Sequence, residues 1–137
     1  VSDGKTHDTH GLVLGAIMFF VVWASAGLVA GALAAAGVVF GALWLSPDLD
    51  LSNSRPSRRW GPLRIVWIPY AKLFAHRGLS HHWLAGTLSR LLYLSLFVVP
   101  VWLVATEGKP PPEVSWLFVV GTFLGNWAHL LADGELF

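Results

Sequence analysis

Cysteine is absent from the 137 residues. Disulfides, thiolate zinc sites and thiol catalysis are thereby excluded, and any metal site must draw on His, Asp, Glu or backbone oxygen. Charge is also scarce. Only 12% of residues are charged while 55% are apolar, against about 25% charged in an ordinary soluble domain. Too few polar side chains exist to cover a water-soluble surface, which predicts an integral membrane protein. The formal net charge is +1, so bulk charge makes no case for nucleic acid as a partner. No small-residue cleavage pattern bounds the first apolar run, which is expected to stay as a membrane segment. The length suits a single membrane domain, 1–137.

What is present is apolar and helical in pattern. Gly11 to Leu45 contains no charged residue. As one helix it would be ~52 Å long, against a hydrocarbon core of ~30 Å. A tight hairpin turning near Gly27 to Gly31 resolves the mismatch, leaving short arms of ~16 residues that imply local thinning or snorkelling. Ser46-Pro47 ends the second arm. A polar loop with Arg55, Arg58, Arg59 and Arg64 follows, then Trp60, Trp67 and Tyr70 among basic residues and prolines. That mixture predicts a segment at headgroup depth. Further apolar runs cover about Leu84 to Ala105 and Val114 to Ala132, separated by the stiff GKPPPE turn. The expected fold is all-α: a polytopic membrane protein with four transmembrane helices and a cytoplasmic interfacial loop between helices 2 and 3.

Small residues recur at a spacing of four: Gly11/Gly15, Gly27/Gly31, Gly37/Gly41 and Gly121/Gly125. Such pairs let helix backbones approach closely in lipid, although at least one should mark the hairpin turn instead. With four spans, eight of the nine Lys and Arg residues fall on one side and only Lys109 lies opposite. The positive-inside rule makes that side cytoplasmic, with both termini there, in a bacterial inner membrane or another internal membrane.

The same threading gathers the chemistry. His7 and His10 precede the first span, Asp48 and Asp50 follow the second, His76, His81 and His82 lie in the loop, and His129 and Asp133 end the fourth. His129 and Asp133 are four apart and share a helix face; Asn126, on the same stripe, is placed to orient a ligand. Ionisable groups near a bilayer core are costly and usually functional. Imidazoles with carboxylates suit a divalent transition metal. The expected metal ligands are His7, Asp48, Asp50, His76, His81, His129 and Asp133. Seven exceed what one zinc takes, so one or two ions are expected, zinc or manganese leading, and a two-metal site clamps a phosphoryl oxygen and activates water. His10 and His82 read instead as polar anchors, Asp8 as a helix-dipole residue, and Arg55, Arg58 and Arg59 as topology determinants resting on anionic lipid.

The motifs GKTHD, SPDLD, RRWGPLRIVWIPYAKLFAHRGLSHH and NWAHLLAD resemble the bacterial family of uncharacterised membrane metal-binding proteins. More distantly, the chain is similar to membrane-bound metal-dependent hydrolases, whose pattern combines an N-terminal His, P-D-x-D, H-R-G-x-T/S-H and H-x-x-x-D. The resemblance covers nearly the whole chain and implies metal binding by the same seven residues. Here His82 follows His81 where a small residue is commoner.

Two functions are expected from these residues. One is a metal-dependent hydrolase at the cytoplasmic membrane face, acting on a phosphoester, with Asp48 and Arg77 as catalytic residues; Arg77 would pair with phosphate or with a headgroup. The other is a non-enzymatic subunit of a larger membrane complex, its His residues binding a structural metal or a pigment. The lipid bilayer is the expected partner in both, with other membrane subunits added in the second.

Overall fold

Gly27 divides the first apolar stretch. The computed structural model describes residues 4–74, 78 and 81–134. In it helix α1 (Gly4–Ala26) and helix α2 (Leu28–Leu43) meet at Gly27, whose φ of 91° lies in the region that favours glycine. The expected hairpin is present, but its arms are unequal. α1 runs 23 residues and takes in the polar start of the chain, whereas α2 has 16. Every described regular element is helical. Three helices are long and apolar enough to cross a membrane: α1, α5 (Ala85–Ala105) and α6 (Trp116–Asp133, reached through a short turn at Glu113–Ser115). The fourth expected span, α2, is shorter, about 24 Å by its helical rise.

α2 is the centre of the packing. Its buried residues lie on both sides, Ala30, Gly31, Ala34, Gly37, Val38, Gly41 and Ala42 among them. α1 packs on one side, where Gly11 and Gly15 sit against Ala42 and Val39. α6 packs on the other, so closely that a Cβ on Gly37 or Gly41 would run into the backbone of Phe118 or Thr122. Gly121 and Gly125 return the same intimacy towards Ala34, Val38 and Ala42. Three of the four small-residue pairs are therefore wholly at helix contacts. The Gly27/Gly31 pair is split, Gly27 making the turn and Gly31 touching Phe19 and Trp23.

The segment after α2 seals the end of that helix. Arg59 Nη1 donates to the Leu43 carbonyl at 2.9 Å, and Trp60 Nε1 to the Trp44 carbonyl at 2.9 Å. These are carbonyls that a helix end leaves without intrahelical partners. They fix the short helix α3 (Arg55–Arg59) over the end of α2. The expected loop is thus a string of short helical pieces: 3-10 turns at Pro47–Asp50 and Gly61–Val66, with α3 and then α4 (Trp67–Leu73). Its aromatics are not all at a surface. Trp67 and Tyr70 are buried with Leu45 and Leu49 in the hydrophobic core, and Tyr93 Oη donates to the Val66 carbonyl at the start of α4. Tyr70 also bonds Ser89 Oγ at 2.8 Å, tying α4 to α5.

α5 is held mainly at its beginning. Gly86, Thr87 and Arg90 are its buried residues, while Leu92, Leu96, Val101 and Val104 are exposed. His82 starts the helix, its Nδ1 accepting from the Leu84 and Ala85 amides at 3.3 and 3.2 Å. At the far end of the chain Gly134, with φ 72°, stops α6 and makes Asp133 its last residue.

Candidate metal centre

The helix stripes that pack α1 and α6 onto α2 continue into the ionisable residues. On α1 the stripe is His7, Gly11, Gly15; on α6 it is Gly121, Gly125, His129, Asp133. Residues four apart share a helix face. Each glycine pair that brings a backbone against α2 therefore also aims a histidine at the end of α2. The two rings meet there, stacked with centroids 4.2 Å apart and planes at 19°.

Asp48 arrives from the 3-10 turn after α2. Ser46 caps that turn, its Oγ accepting from the Asp48 amide at 3.4 Å and lying 3.3 Å from His129 Nδ1. Ser46 thus places Asp48 and orients His129 with one hydroxyl. It is fully buried, and it fills the orienting role that the spacing assigned to Asn126. Asn126 instead accepts from Arg90 Nη2 at 2.7 Å and donates to the Thr122 carbonyl at 3.0 Å.

Imidazoles and carboxylates then alternate through the site. His81 Nε2 is 3.5 Å from Asp48 Oδ1, and Asp48 Oδ2 is 3.3 Å from His129 Nε2. His129 Nε2 is 3.4 Å from Asp133 Oδ2, and Asp133 Oδ1 is 3.0 Å from His7 Nε2. The imidazoles, His129 foremost and then His81, hold the Asp48 carboxyl well below the usual carboxylate range, outweighing burial, which acts the other way. Distance is satisfied across the site, but direction is not. His7 Nδ1, His129 Nε2 and Asp133 Oδ1 are buried without a hydrogen-bond partner among the described residues. Unpaired buried polar atoms are costly. Imidazole and carboxylate ligand atoms gathered from two helices in this way suit a cation as an added partner.

The donor chemistry fits. One ligand atom each from His7, His129 and Asp133 lies within 4.8 Å of the other two. Nitrogen and carboxylate oxygen are the donors that zinc and manganese accept. Asp48 and His81 adjoin this trio through the contacts above. Asp50 is also buried, at 8% exposure, and its charge acts on the buried Arg90 guanidinium. His76 and Arg77 lie outside the described residues. His10 is exposed, and His82 Nδ1 is engaged at the α5 start. Asp8 does more than favour a helix start: it pairs with Arg59 and, at 3.4 Å, with Arg55. Arg90 was legible in the sequence only as a topology charge. Its burial at 0% exposure beneath the site depends on α5 docking, which no local motif announces.

The site is accessible. A cavity of about 260 Å³ reaches His7, Asp48 and His129, and Asn53, Ser54, Arg55 and Arg58 line its outer part.

Comparison with known proteins bears on this geometry. No solved structure matches the chain. An uncharacterized protein of Aquifex aeolicus (strain VF5) is 47% identical over 58 residues, covering 42% of this chain and 41% of that relative; the match thus spans about two-fifths of the relative's length. The family model described as "Uncharacterized metal-binding protein (DUF2227)" matches residues 2–110, a stretch that includes His7, Asp48, Asp50, His76 and His81 and ends before His129 and Asp133. With most of its length matched, this chain belongs to that family of uncharacterised metal-binding proteins.

Proposed function

We propose that the chain crosses a bacterial inner membrane four times and binds one or two divalent ions, zinc or manganese, at its cytoplasmic face. There it hydrolyses a phosphoester. The observation that carries the reading is the gathering of ligand atoms from His7, His129 and Asp133 within 4.8 Å of one another, with His7 and His129 at the inner end of an open cavity. A purely structural ion needs its donors but no access, since structural sites are closed and catalytic sites keep a position open. The membrane reading is supported by the outward faces of α1 and α5, where Leu12, Ile17, Phe20, Leu96 and Val104 are exposed. Such faces are costly in water and neutral in lipid.

His7, His129 and Asp133 would hold the ion, and Asp48 with His81 begins a second donor set beside it. A divalent ion supplies Lewis acidity, polarising a phosphoryl oxygen and acidifying water. The chain's own contribution is orientation and charge. Asp48 keeps one oxygen on His81 and the other on His129, so both rings are steadied by one ionised carboxylate. Ser46 restrains the other nitrogen of His129. Burial of His7 and His129 excludes bulk water from the inner side, where it would screen the charges.

Metal analysis of the full chain purified in detergent is the first test. Wild type should carry a divalent transition ion, and His129→Ala and Asp133→Ala should each lose it. Full retention in both would remove these residues from the site. The metal-loaded protein should hydrolyse a nitrophenyl phosphoester or a phospholipid, and chelation and Asp48→Asn should each abolish turnover. A loaded preparation that turned over no phosphoester, soluble or lipid, would replace this reading with that of a non-enzymatic membrane subunit.

A further inference from the structure

Helix α3 carries three arginines, Arg55, Arg58 and Arg59, and among the described residues one carboxylate pairs with them. Asp8 bonds Arg59 and lies 3.4 Å from Arg55. Arg59 is further committed, donating to the Leu43 carbonyl. Arg58 is exposed and has no acidic partner among the described residues. Repulsion between guanidiniums this close in sequence is relieved most simply by a further anion. Their position makes the identity of that anion specific. Arg55 and Arg58 line the cavity whose inner end is His7, Asp48 and His129, and all three arginines border a second depression of about 290 Å³ beside it. The Arg55 stem runs close against the start of α1, where a Cβ on Gly4 would lie 2.8 Å from Arg55 Cδ.

We propose that Arg55 and Arg58 form the anion-binding half of the site and seat a phosphate group between themselves and the His7–His129–Asp133 centre. The inference rests on the metal-centre reading and adds the ligand class to it. Guanidinium presents two parallel N–H donors that match phosphate oxygens, and the side chains of Asn53 and Ser54 border the same space. The opposing charges are as informative. Asp8 and Asp48 also line the cavity, so an anion entering a metal-free site meets two carboxylates with the two arginines. Phosphate binding is therefore metal-dependent as well as arginine-dependent. Arginines serving only as topology determinants would need no place in a cavity ending on buried imidazoles.

The test measures binding, not turnover. Inorganic phosphate is titrated calorimetrically into the full chain in detergent, with and without zinc or manganese, for wild type, Arg58→Gln, Arg55→Gln/Arg58→Gln and Arg64→Gln, the last a charge control outside this cavity. Metal content is measured on the same samples. The expected result is phosphate binding by the metal-loaded wild type and by Arg64→Gln. Arg58→Gln should bind about tenfold more weakly and the double variant more weakly still, the scale of one charge-assisted hydrogen bond each, with metal content unchanged. A parallel arm places the chain in nanodiscs of phosphatidylcholine with or without phosphatidic acid. Competition of phosphatidic acid with inorganic phosphate identifies a lipid headgroup as the source, and its absence identifies a soluble phosphate; both outcomes uphold the site. Metal-loaded wild type that binds no phosphate, or a double variant that binds it as tightly as wild type, overturns the inference and leaves the metal centre standing. Absence of metal from wild type overturns the metal-centre reading itself.

Discussion

Gly125 tests whether helix packing and metal binding are one property of this fold. A Cβ at position 125 would strike the Val38 carbonyl oxygen and lie 2.8 Å from the Ala42 nitrogen, where ordinary contacts run 3.4–4 Å. Both neighbours are backbone, so no side chain can swing aside. In Gly125→Ala the two helices must part by several tenths of an ångström to about 1 Å, at about 1–3 kcal/mol for an overpacked contact. His129 lies one turn beyond and moves with α6. Metal–ligand distances tolerate only about 0.2 Å, so metal affinity should fall at least about tenfold, in the range of a disturbed ligand-supporting contact. Gly37→Ala is the matched control. Its Cβ would strike the Phe118 backbone, at the opposite end of the same crossing, some 16 Å along α6 from His129. It should cost comparable stability and lose much less metal affinity. Thermal unfolding of the metal-free chain reports the first quantity, and competition with a metallochromic chelator the second. Metal affinity in Gly125→Ala equal to wild type would refute the reasoning. Equal losses in the two variants would show that metal follows overall stability and not the local position of α6.

Two further predictions address topology and pH. Single cysteines replacing Lys5 and Ser52 should be labelled by an impermeant maleimide from the cytoplasmic side and one replacing Glu107 from the other; labelling of positions 5 and 52 from opposite sides would break the hairpin and the site with it. Asp48 has a lowered pKa in the folded chain, so its stabilising contribution is complete above the ordinary carboxylate range near about 4 and is lost only as pH falls from there through the depressed folded value. It therefore stays ionised between pH 7 and 5. Asp48→Asn should lower metal affinity by a nearly constant factor across that window, and a wild-type-to-variant ratio that changed steeply within it would contradict the assignment.

The parts of this fold that were legible in the sequence are those written at a spacing of four. Gly37/Gly41 and Gly121/Gly125 announce a close helix crossing, and the structure places them in one, face to face. His129/Asp133 announce a shared face, and they occupy one. The length of α2 was visible too, since a hairpin in that apolar run allows only a short second arm. The illegible parts depend on how distant segments dock. Trp67 and Tyr70 have the composition of an interfacial belt but are buried, because α4, entered through the Gly61–Val66 turn, packs against Leu45 and Leu49. Asn126 lies on the ligand stripe, yet its side chain is taken by Arg90, a residue on another helix whose approach no spacing rule predicts. Arg55 and Arg58 read as loop charges until α3 is set over the end of α2 by Arg59 and Trp60.

One physical relation connects the packing of this fold to its site. Glycine at every fourth position removes the side chains that would keep α1 and α6 away from α2. The next residue on each stripe, His7 or His129, is then carried inward to the place where α2 ends and water begins. Polar atoms brought there at backbone packing distance are largely buried, and His7 Nδ1, His129 Nε2 and Asp133 Oδ1 are left without a well-directed hydrogen bond among the described residues. A fold that merely needed close helices could have continued each stripe in apolar residues, as Ala34, Val38 and Ala42 do on α2. Continuing the stripes into imidazole and carboxylate incurs a desolvation cost that packing does not return. On the proposed reading a cation shared among the three residues would offset it, and the arginine-lined cavity beside them would give that cation a route to an anionic ligand.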